Sequence, residues 1–243
     1  CGRAVRPLGV VDFNKSCEEA RGFRLPAAGR NVAYVRCGNC GFCFAPEFKA
    51  WTPEDFRREI YNDGYAAVDP DHADLRPRTN AESLLASFGR PGAPFRHLDY
   101  GGGAGLLSRL VGEGGWNTTS FDPFFDRHVD PATLGQFTLI TCYEVFEHVA
   151  DVQGLADNLT ALLAPDGLVL FSTLVSDGQL PRDRPTDWWY LAPRNGHISL
   201  HSSKSLALLA SRGGLGFASF SPGLHLYWRQ PFPQWARHLL AAS

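Results

Sequence analysis

The chain has 243 residues, 44% of them apolar and 20% charged, with a formal net charge of −2; that leaves room for one full α/β domain plus a small appendage, with enough apolar content for a real core. The charge is uneven, with eight Lys/Arg against four Asp/Glu in residues 1–50 and fifteen against twenty-one in the remainder. Neither part carries the dense basic stripe that phosphate-backbone binding needs, which argues against nucleic acid as a partner, and no apolar run approaches the ~20 residues of a membrane span.

The chain opens at Cys1 without a methionine and without a basic and apolar leader, so it reads as cytoplasmic and as preceded by further sequence. Residues 1–50 are rich in Gly, Arg and Cys and show little periodicity. Cys37-Gly38-Asn39-Cys40-Gly41 is a C-x-x-C-G knuckle, a spacing that lets two thiolates grip one tetrahedral zinc while the glycine permits the turn. Cys1-Gly2 looks like half of a second knuckle, and Cys17 or Cys43 is available for the remaining position. The expected ligand set is Cys1, Cys17, Cys37 and Cys40, and such a four-thiolate zinc would be structural. The alternative is a group of small buried thiols.

Trp51-Thr52-Pro53-Glu54-Asp55-Phe56 predicts a helix start, with Thr52 as N-cap, Pro53 at the first helical position, acids in the first turn and Trp51 stapled to Phe56. An aromatic turn follows at Tyr61–Tyr65. Thr79-Asn80-Ala81-Glu82 reads as a second capping box, opening a helix that Gly89 stops. Residues 51–90 are thus expected to form a helical linker or lid ahead of a main domain at 91–243.

That domain opens on Phe95–Gly105, where a short apolar stretch ends in Asp99-Tyr100 and runs into Gly101, Gly103 and Gly105, followed by Leu106, Leu107, Leu110 and Val111 at helical spacing. The pattern predicts strand, glycine turn and helix. Glycine allows close approach of a ligand, and the helix start offers unpaired N–H groups to an anion. A dinucleotide fingerprint would need a third glycine where Leu106 stands, which disfavours a nicotinamide-dependent oxidoreductase. Trp116–Phe121 alternates like a strand and ends at Asp122, 23 residues after Asp99; an acid there can accept from both ribose hydroxyls. Pro123 and Phe124 offer an apolar wall for a base, with core packing the alternative for Phe124.

Phe137–Cys142 predicts another strand, running into Tyr143-Glu144-Val145-Phe146-Glu147-His148-Val149. Cys142 and Tyr143 should border the crevice at the strand ends. A helix with Val152, Leu155, Leu159 and Leu162 on one face comes next, then a Pro165-Asp166-Gly167 turn and a fifth strand. Residues 175–201 read as a long irregular insert over the same crevice, with aromatics that argue against disorder. A last helix capped by Ser202 or Ser203 and a hairpin of Phe217–Phe220 with Leu224–Arg229 close the chain.

Asp99-x-Gly101-x-Gly103-x-Gly105 and Glu144-Val145-Phe146-Glu147-His148-Val149 together resemble the class I S-adenosylmethionine (SAM) dependent methyltransferases, in particular the ubiquinone-biosynthesis-like group. The resemblance implies an α/β, Rossmann-like, seven-stranded sheet with helices on both faces and a C-terminal antiparallel hairpin. It implies SAM as cofactor, held by Asp99, Tyr100, Gly101, Gly103, Gly105, Asp122, Pro123, Phe124, Cys142 and Tyr143. Tyr65 is the candidate lid residue and Arg78 the candidate partner of the methionine carboxylate, against ordinary packing and a solvated arginine respectively. Some bacterial members that act on sugars and natural products are similar in carrying a cysteine knuckle ahead of the catalytic domain, which implies a small-molecule acceptor of that kind. The Trp188/Trp189-to-His197 run resembles the acceptor-side segment. His197 is the favoured base, His148 the second candidate with a packing role as its alternative, and His201 a weaker rival; an imidazole titrates near enough to neutrality for the task. A catalytically silent SAM- or nucleotide-binding module, docking a partner through the zinc knuckle, is the rival reading.

Overall fold

A computed structural model describes residues 1–241 of the chain. They form two compact units that interleave along the sequence: Cys1–Pro70 with Phe146–Val152 and Thr173–Leu208, and Asp71–Val145 with Gln153–Ser172 and Leu209–Ser243. The sequence boundaries at 50 and 90 differ from this division, because residues 146–152 and the insert after 172 pack with the N-terminal segment.

In the first unit β1 (Val5–Asp12), β2 (Asn31–Cys37), β3 (Cys43–Phe44) and β8 (Ser199–Leu200) make an antiparallel sheet in the order β1-β2-β3-β8. The N-terminal segment is therefore a sheet, where little periodicity was expected. β1 is largely exposed and its pairing shifts between Pro7 and Gly9; a bulge of this kind breaks the two-residue alternation that would mark a strand. Helix α1 (Pro53–Glu59) starts as the sequence predicts: the Thr52 hydroxyl accepts from Asp55 N–H, the Asp55 carboxylate accepts from Thr52 N–H at 2.8 Å, and Trp51 packs edge-on against Phe56. The expected irregular insert forms much of this unit's core, with Trp188, Tyr190, Leu191, Ala192 and Ile198 all buried.

The second unit carries a Rossmann-like sheet in the order β5-β4-β6-β7-β10-β9. Its strands are β4 (His97–Tyr100), β5 (Thr118–Phe121), β6 (Phe137–Tyr143), β7 (Leu163–Ser172), β9 (Leu215–Ser221) and β10 (Leu224–Arg229). The first four are parallel neighbours, and β10 pairs antiparallel with both β7 and β9. The hairpin closes the sheet as expected, but this sheet has six strands among the described residues, not seven. Between β5 and β6 lies only a short 3-10 turn, Pro131–Leu134, and a further strand with its crossover takes ~30 residues.

Helices α3 (Leu106–Glu113), α4 (Val152–Leu162) and α5 (Ser203–Arg212) fall where the periodicity places them. Helix α2 runs Leu75–Phe88, so Thr79 is not its cap: its hydroxyl donates back to Leu75 O at 3.0 Å from inside the helix. Pro77 lies in the first turn, where the N–H it lacks has no intrahelical partner to lose. The core of this unit joins Leu84, Leu107, Val111, Trp116, Leu139, Leu168 and Leu226.

Candidate functional site

In the second unit the glycine turn leaves the end of β4, a strand buried at all four positions. Gly101 N–H donates to Phe121 O at 2.7 Å, and Gly105 N–H to Gly102 O at 2.9 Å, before α3 begins. Gly103 has φ +55°, and a Cβ there would meet nothing within 4 Å; at Gly101, φ +77°, it would lie against the Val145 side chain. One glycine thus faces open space that a ligand can use, while the other lets the chain pass beneath Val145.

Asp122, at the end of β5, is 8% exposed. Its Oδ2 accepts from Gly103 N–H at 3.0 Å and its Oδ1 from Phe124 N–H at 2.8 Å. Each carboxylate oxygen has a second acceptor position, so the group braces the turn and retains capacity for a diol. The donor set, an acid bonded to the glycine turn beside an open main-chain edge and a helix start, fits an adenosyl group. Phe124 is half-buried and Phe125 is 67% exposed.

Behind the turn, Asp99 is buried, and burial pushes its carboxyl up to about 7, with Asp122 adding to the rise and the Thr141 hydroxyl, which donates to Oδ1 at 2.9 Å, opposing it. His97 is fully buried too; desolvation pushes its imidazole down to about 3, and its two nitrogens lie 2.8 Å from Thr118 Oγ1 and 3.0 Å from Thr141 Oγ1. Tyr100 packs on Phe121, Cys142 is buried within β6, and burial raises the Tyr143 phenol above its ordinary value. Arg78 lies in α2, where its Nε pairs with Asp74 at 2.8 Å.

Sequence reasoning missed Glu144. It is the one non-glycine residue of positive φ (+53°) among the described residues, at the end of β6. Its N–H donates to Ser172 Oγ at 2.9 Å and the Ser172 hydroxyl donates to Glu144 Oε1 at 2.7 Å. Backbone held in this region by its surroundings is concentrated at functional sites, and Val145, which follows, packs onto Gly101.

The remaining candidates belong to the first unit. His148 and His197 rings lie 5.0 Å apart, and the His197 ring packs tilted against Tyr190 at 4.1 Å. His197 Nδ1 donates to Tyr190 O at 2.9 Å and His148 Nδ1 to Gly196 O at 3.2 Å. Glu147, which spacing did not single out, is fully buried and accepts a hydrogen bond from the Tyr190 hydroxyl. Tyr65 packs edge-on against Tyr61 at 5.1 Å. His201 is buried between Phe42 and Phe146.

Of the cysteines, Cys1, Cys37 and Cys40 come together, with Cys1 Sγ 3.3 Å from Cys37 Sγ and 3.5 Å from Cys40 Sγ. The N–H groups of Cys40 and Asn39 hold the Cys37 thiol below its ordinary value, while burial pushes the neighbouring Cys40 thiol up. Cys17 lies elsewhere, its Sγ 3.7 Å from His197 Nδ1. Cys43 is buried, and burial pushes its thiol up to about 12. The trio fits three corners of a tetrahedral zinc.

Residues 72–218 match a family model described as a methyltransferase domain. A ubiquinone biosynthesis O-methyltransferase of Erwinia tasmaniensis is 28% identical over 159 residues, covering 65% of this chain and 59% of that protein. Its counterpart in Actinobacillus pleuropneumoniae is 30% identical over 104 residues, 32% of this chain and 44% of the relative; the match thus spans about half the length of these relatives. Among solved structures, Burkholderia thailandensis 1,6-didemethyltoxoflavin-N1-methyltransferase, with bound 1,6-didemethyltoxoflavin and S-adenosylhomocysteine, superposes with TM-score 0.52 at 18% identity, over 85% of this chain and 98% of that one. Human N-acetylserotonin methyltransferase in complex with SAM gives TM-score 0.52 at 18% identity, over 75% and 61%. At these identities the two structures establish the fold.

Proposed function

The chain belongs to the class I SAM-dependent methyltransferase family, and from that premise we propose that it moves the methyl group of SAM to a hydroxyl of a small-molecule acceptor, of the sugar, glycan or natural-product kind. The observation that carries the reading is the Asp122 carboxylate bonded to Gly103 N–H beside an open main-chain edge.

Bound SAM supplies a methyl carbon on a positively charged sulfur. Asp122 would hold the ribose through the acceptor positions that Gly103 and Phe124 leave, and the first N–H groups of α3 would be available to the anionic end of the cofactor. Phe124 and Phe125 would cover the base. For transfer, the protein's main contribution is alignment, which can supply ~7 to 11 kcal/mol. A hydroxyl is a poor nucleophile until its proton begins to leave, so an imidazole is needed. With Nδ1–H of His197 committed to the Tyr190 carbonyl, the basic atom is Nε2. His148 is arranged alike through the Gly196 carbonyl. Tyr65, Arg78, Cys142 and Tyr143 complete the proposed cofactor set, and a zinc on Cys1, Cys37 and Cys40 would be structural.

Calorimetry with SAM and with its demethylated product, followed by an acceptor screen with methyl-labelled SAM, tests the reading. Binding of both with label transfer to a hydroxyl compound is the expected result. Failure of either nucleoside to bind would overturn the cofactor site, and binding without transfer to any acceptor would make the protein a silent SAM-binding module.

A further inference from the structure

We infer that Asp99 is carried as its neutral acid at the head of a directed hydrogen-bond chain through Thr141, His97, Thr118 and Ser108, and that capture of the cationic cofactor at the glycine turn expels its proton. Thr141 and His97 are thereby positioning residues for that turn. The chain stands on the geometry of the second unit alone, while the expulsion rests on the SAM site proposed above. Asp99 Oδ1 lies 2.9 Å from Thr141 Oγ1, and Thr141 Oγ1 lies 3.0 Å from His97 Nε2. His97 Nδ1 lies 2.8 Å from Thr118 Oγ1, which is 3.1 Å from Ser108 Oγ. The five side chains come from β4, β6, β5 and the first turn of α3, and Asp99, Thr141, His97 and Ser108 are buried. Trp116 packs edge-on against the imidazole at 5.3 Å. A hydroxyl and a neutral imidazole each have one hydrogen to give, so all four contacts form together only if every donor points the same way along the chain.

Both ends set the same direction. At the far end the Ser108 hydroxyl donates to Thr119 O at 3.2 Å, and a carbonyl can only accept. With its hydrogen so used, Ser108 accepts from Thr118, Thr118 accepts from His97 Nδ1–H, and His97 Nε2 accepts from Thr141; the other acceptor within reach of Thr141, Leu98 O, is farther off at 3.4 Å. Thr141 then has no hydrogen left for Asp99, so the hydrogen in that contact comes from the acid. At the near end Asp99 Oδ2 is buried without a hydrogen-bond partner among the described residues, beneath the main chain of the turn at Gly102. An ionised carboxylate with an unanswered oxygen in the interior is costly, and an acid proton on Oδ2 would have nothing to bond. The proton therefore sits on Oδ1, and Oδ2 is the carbonyl oxygen of the acid. Burial acts in the same sense, pushing Asp99 up to about 7 and His97 down to about 3. The other titratable groups facing Asp99 are Asp122 after β5, which raises it further, and Tyr143 at the end of β6, whose phenol is itself pushed up by burial and by Asp99.

The chain has a second self-consistent setting, the one in which Thr141 donates to Asp99 Oδ1 and so opposes the rise of the acid. With Asp99 charged, His97 Nε2–H donates to Thr141, Thr118 to His97 Nδ1 and Ser108 to Thr118. Every donor reverses and the imidazole changes tautomer. SAM carries a sulfonium and an ammonium against one carboxylate, and a cation brought close to an acid favours the ionised form. On binding, the Asp99 O–H bond breaks, its proton passes to bulk solvent, and the Ser108 hydroxyl turns from Thr119 O to Thr118 in the first turn of α3. S-adenosylhomocysteine lacks the sulfonium charge and should drive the change less far.

Two measurements on the unsubstituted chain test this. Nitrogen-15 imidazole spectra of the ligand-free protein at pH 6 should show His97 as the Nδ1–H tautomer, turning to Nε2–H above pH 8 or on addition of SAM. Calorimetry at pH 6 in buffers of different ionisation enthalpy should show up to one proton released per SAM bound and fewer per S-adenosylhomocysteine, so that SAM affinity falls by up to about tenfold per pH unit below 7. Asp99→Asn should remove both the proton release and the pH dependence of the tautomer. Thr141→Val should hold His97 in one tautomer at all these pH values, and Thr141→Ser should restore the change, which a purely packing role for Thr141 would not produce. Thermal melts check each fold, and the two measurements on the unsubstituted chain stand if a variant does not fold. Nε2–H at pH 6 in the ligand-free protein would overturn the inference, as would SAM binding without proton release. Failure of SAM to bind at any pH would fail the cofactor reading alone, and the tautomer at pH 6 would still decide the chain.

Discussion

Replacing Asp99 by Asn should make the protein sensitive to mild acid over a range where the parent is insensitive, because two buried groups that share Thr141 oppose each other. His97 is held neutral, its imidazole pushed down from 6.5 to about 3 by burial. Between those values the unfolded chain binds a proton that the folded chain does not, so stability falls as the pH drops, by about 1.4 kcal/mol per unit. Asp99 is pushed up from 3.8 to about 7, again chiefly by burial. Between those values the folded chain holds the extra proton, so the sign reverses and stability rises as the pH drops, by the same ~1.4 kcal/mol per unit. From pH 6.5 down to about 4 the two slopes cancel. Asparagine keeps an oxygen to accept from Thr141, removes the titration and leaves His97 unopposed. Across two pH units, from 6.5 to 4.5, Asp99→Asn should therefore lose about 2.7 kcal/mol relative to the parent. Urea unfolding at pH 6.5, 5.5 and 4.5 for both proteins measures that difference directly. A constant gap between the two curves would show that Asp99 does not hold its proton in the fold, and a variant curve that stays flat from pH 6.5 to 4.5 would show that His97 is not held neutral.

Three further outcomes follow from the site. Asp122→Ala should lower SAM affinity by 100-fold or more in calorimetry, since two hydrogen bonds to a charged acceptor are worth ~1.5 to 3 kcal/mol each; unchanged affinity would remove Asp122 as the ribose ligand. Gly103→Ala should cost ~1 to 2 kcal/mol of stability for its positive φ and abolish SAM binding, because its Cβ enters open space at the turn, whereas Gly101→Ala should destabilise by more, its Cβ colliding with Val145 Cγ2. Equal melting temperatures for the two variants would contradict this. Cys37→Ser should lower the zinc content of purified protein toward zero while Cys17→Ser leaves it unchanged, measured by elemental analysis; loss in both would bring Cys17 back into the ligand set.

How much of this was readable in the residues depends on which physical signal each part uses. The second unit was legible because β6 is a parallel strand buried over most of its length and reads as a largely apolar run around Phe137, Leu139, Ile140 and Cys142, and because Gly101, Gly103 and Gly105 mark backbone that other residues rarely adopt. Asp122 was expected at a strand end from its separation from Asp99, and it stands directly after β5. The first unit was not legible: β3 and β8 are two residues each, too short to show alternation, and β8 joins a sheet whose other strands lie more than 150 residues away. Thr79 misled because a capping box is a local pattern, while α2 gains its extra turn upstream of it. Glu147 was missed for a deeper reason. An acid beside a histidine in a short 3-10 turn looks like a solvated helix start, and what makes it chemically interesting is complete burial against Tyr190, 43 residues later. Periodicity reports which face an element turns to the core, and glycine spacing reports where the backbone bends. Neither reports which two distant segments Ile198 N–H and the Ser199 hydroxyl stitch together. The glycine turn and Asp122, proposed for the cofactor, rest on local backbone geometry and could be read from the chain; in the first unit Glu147, His148 and His197 come together only through tertiary contacts, and it took the coordinates to bring them into one cluster.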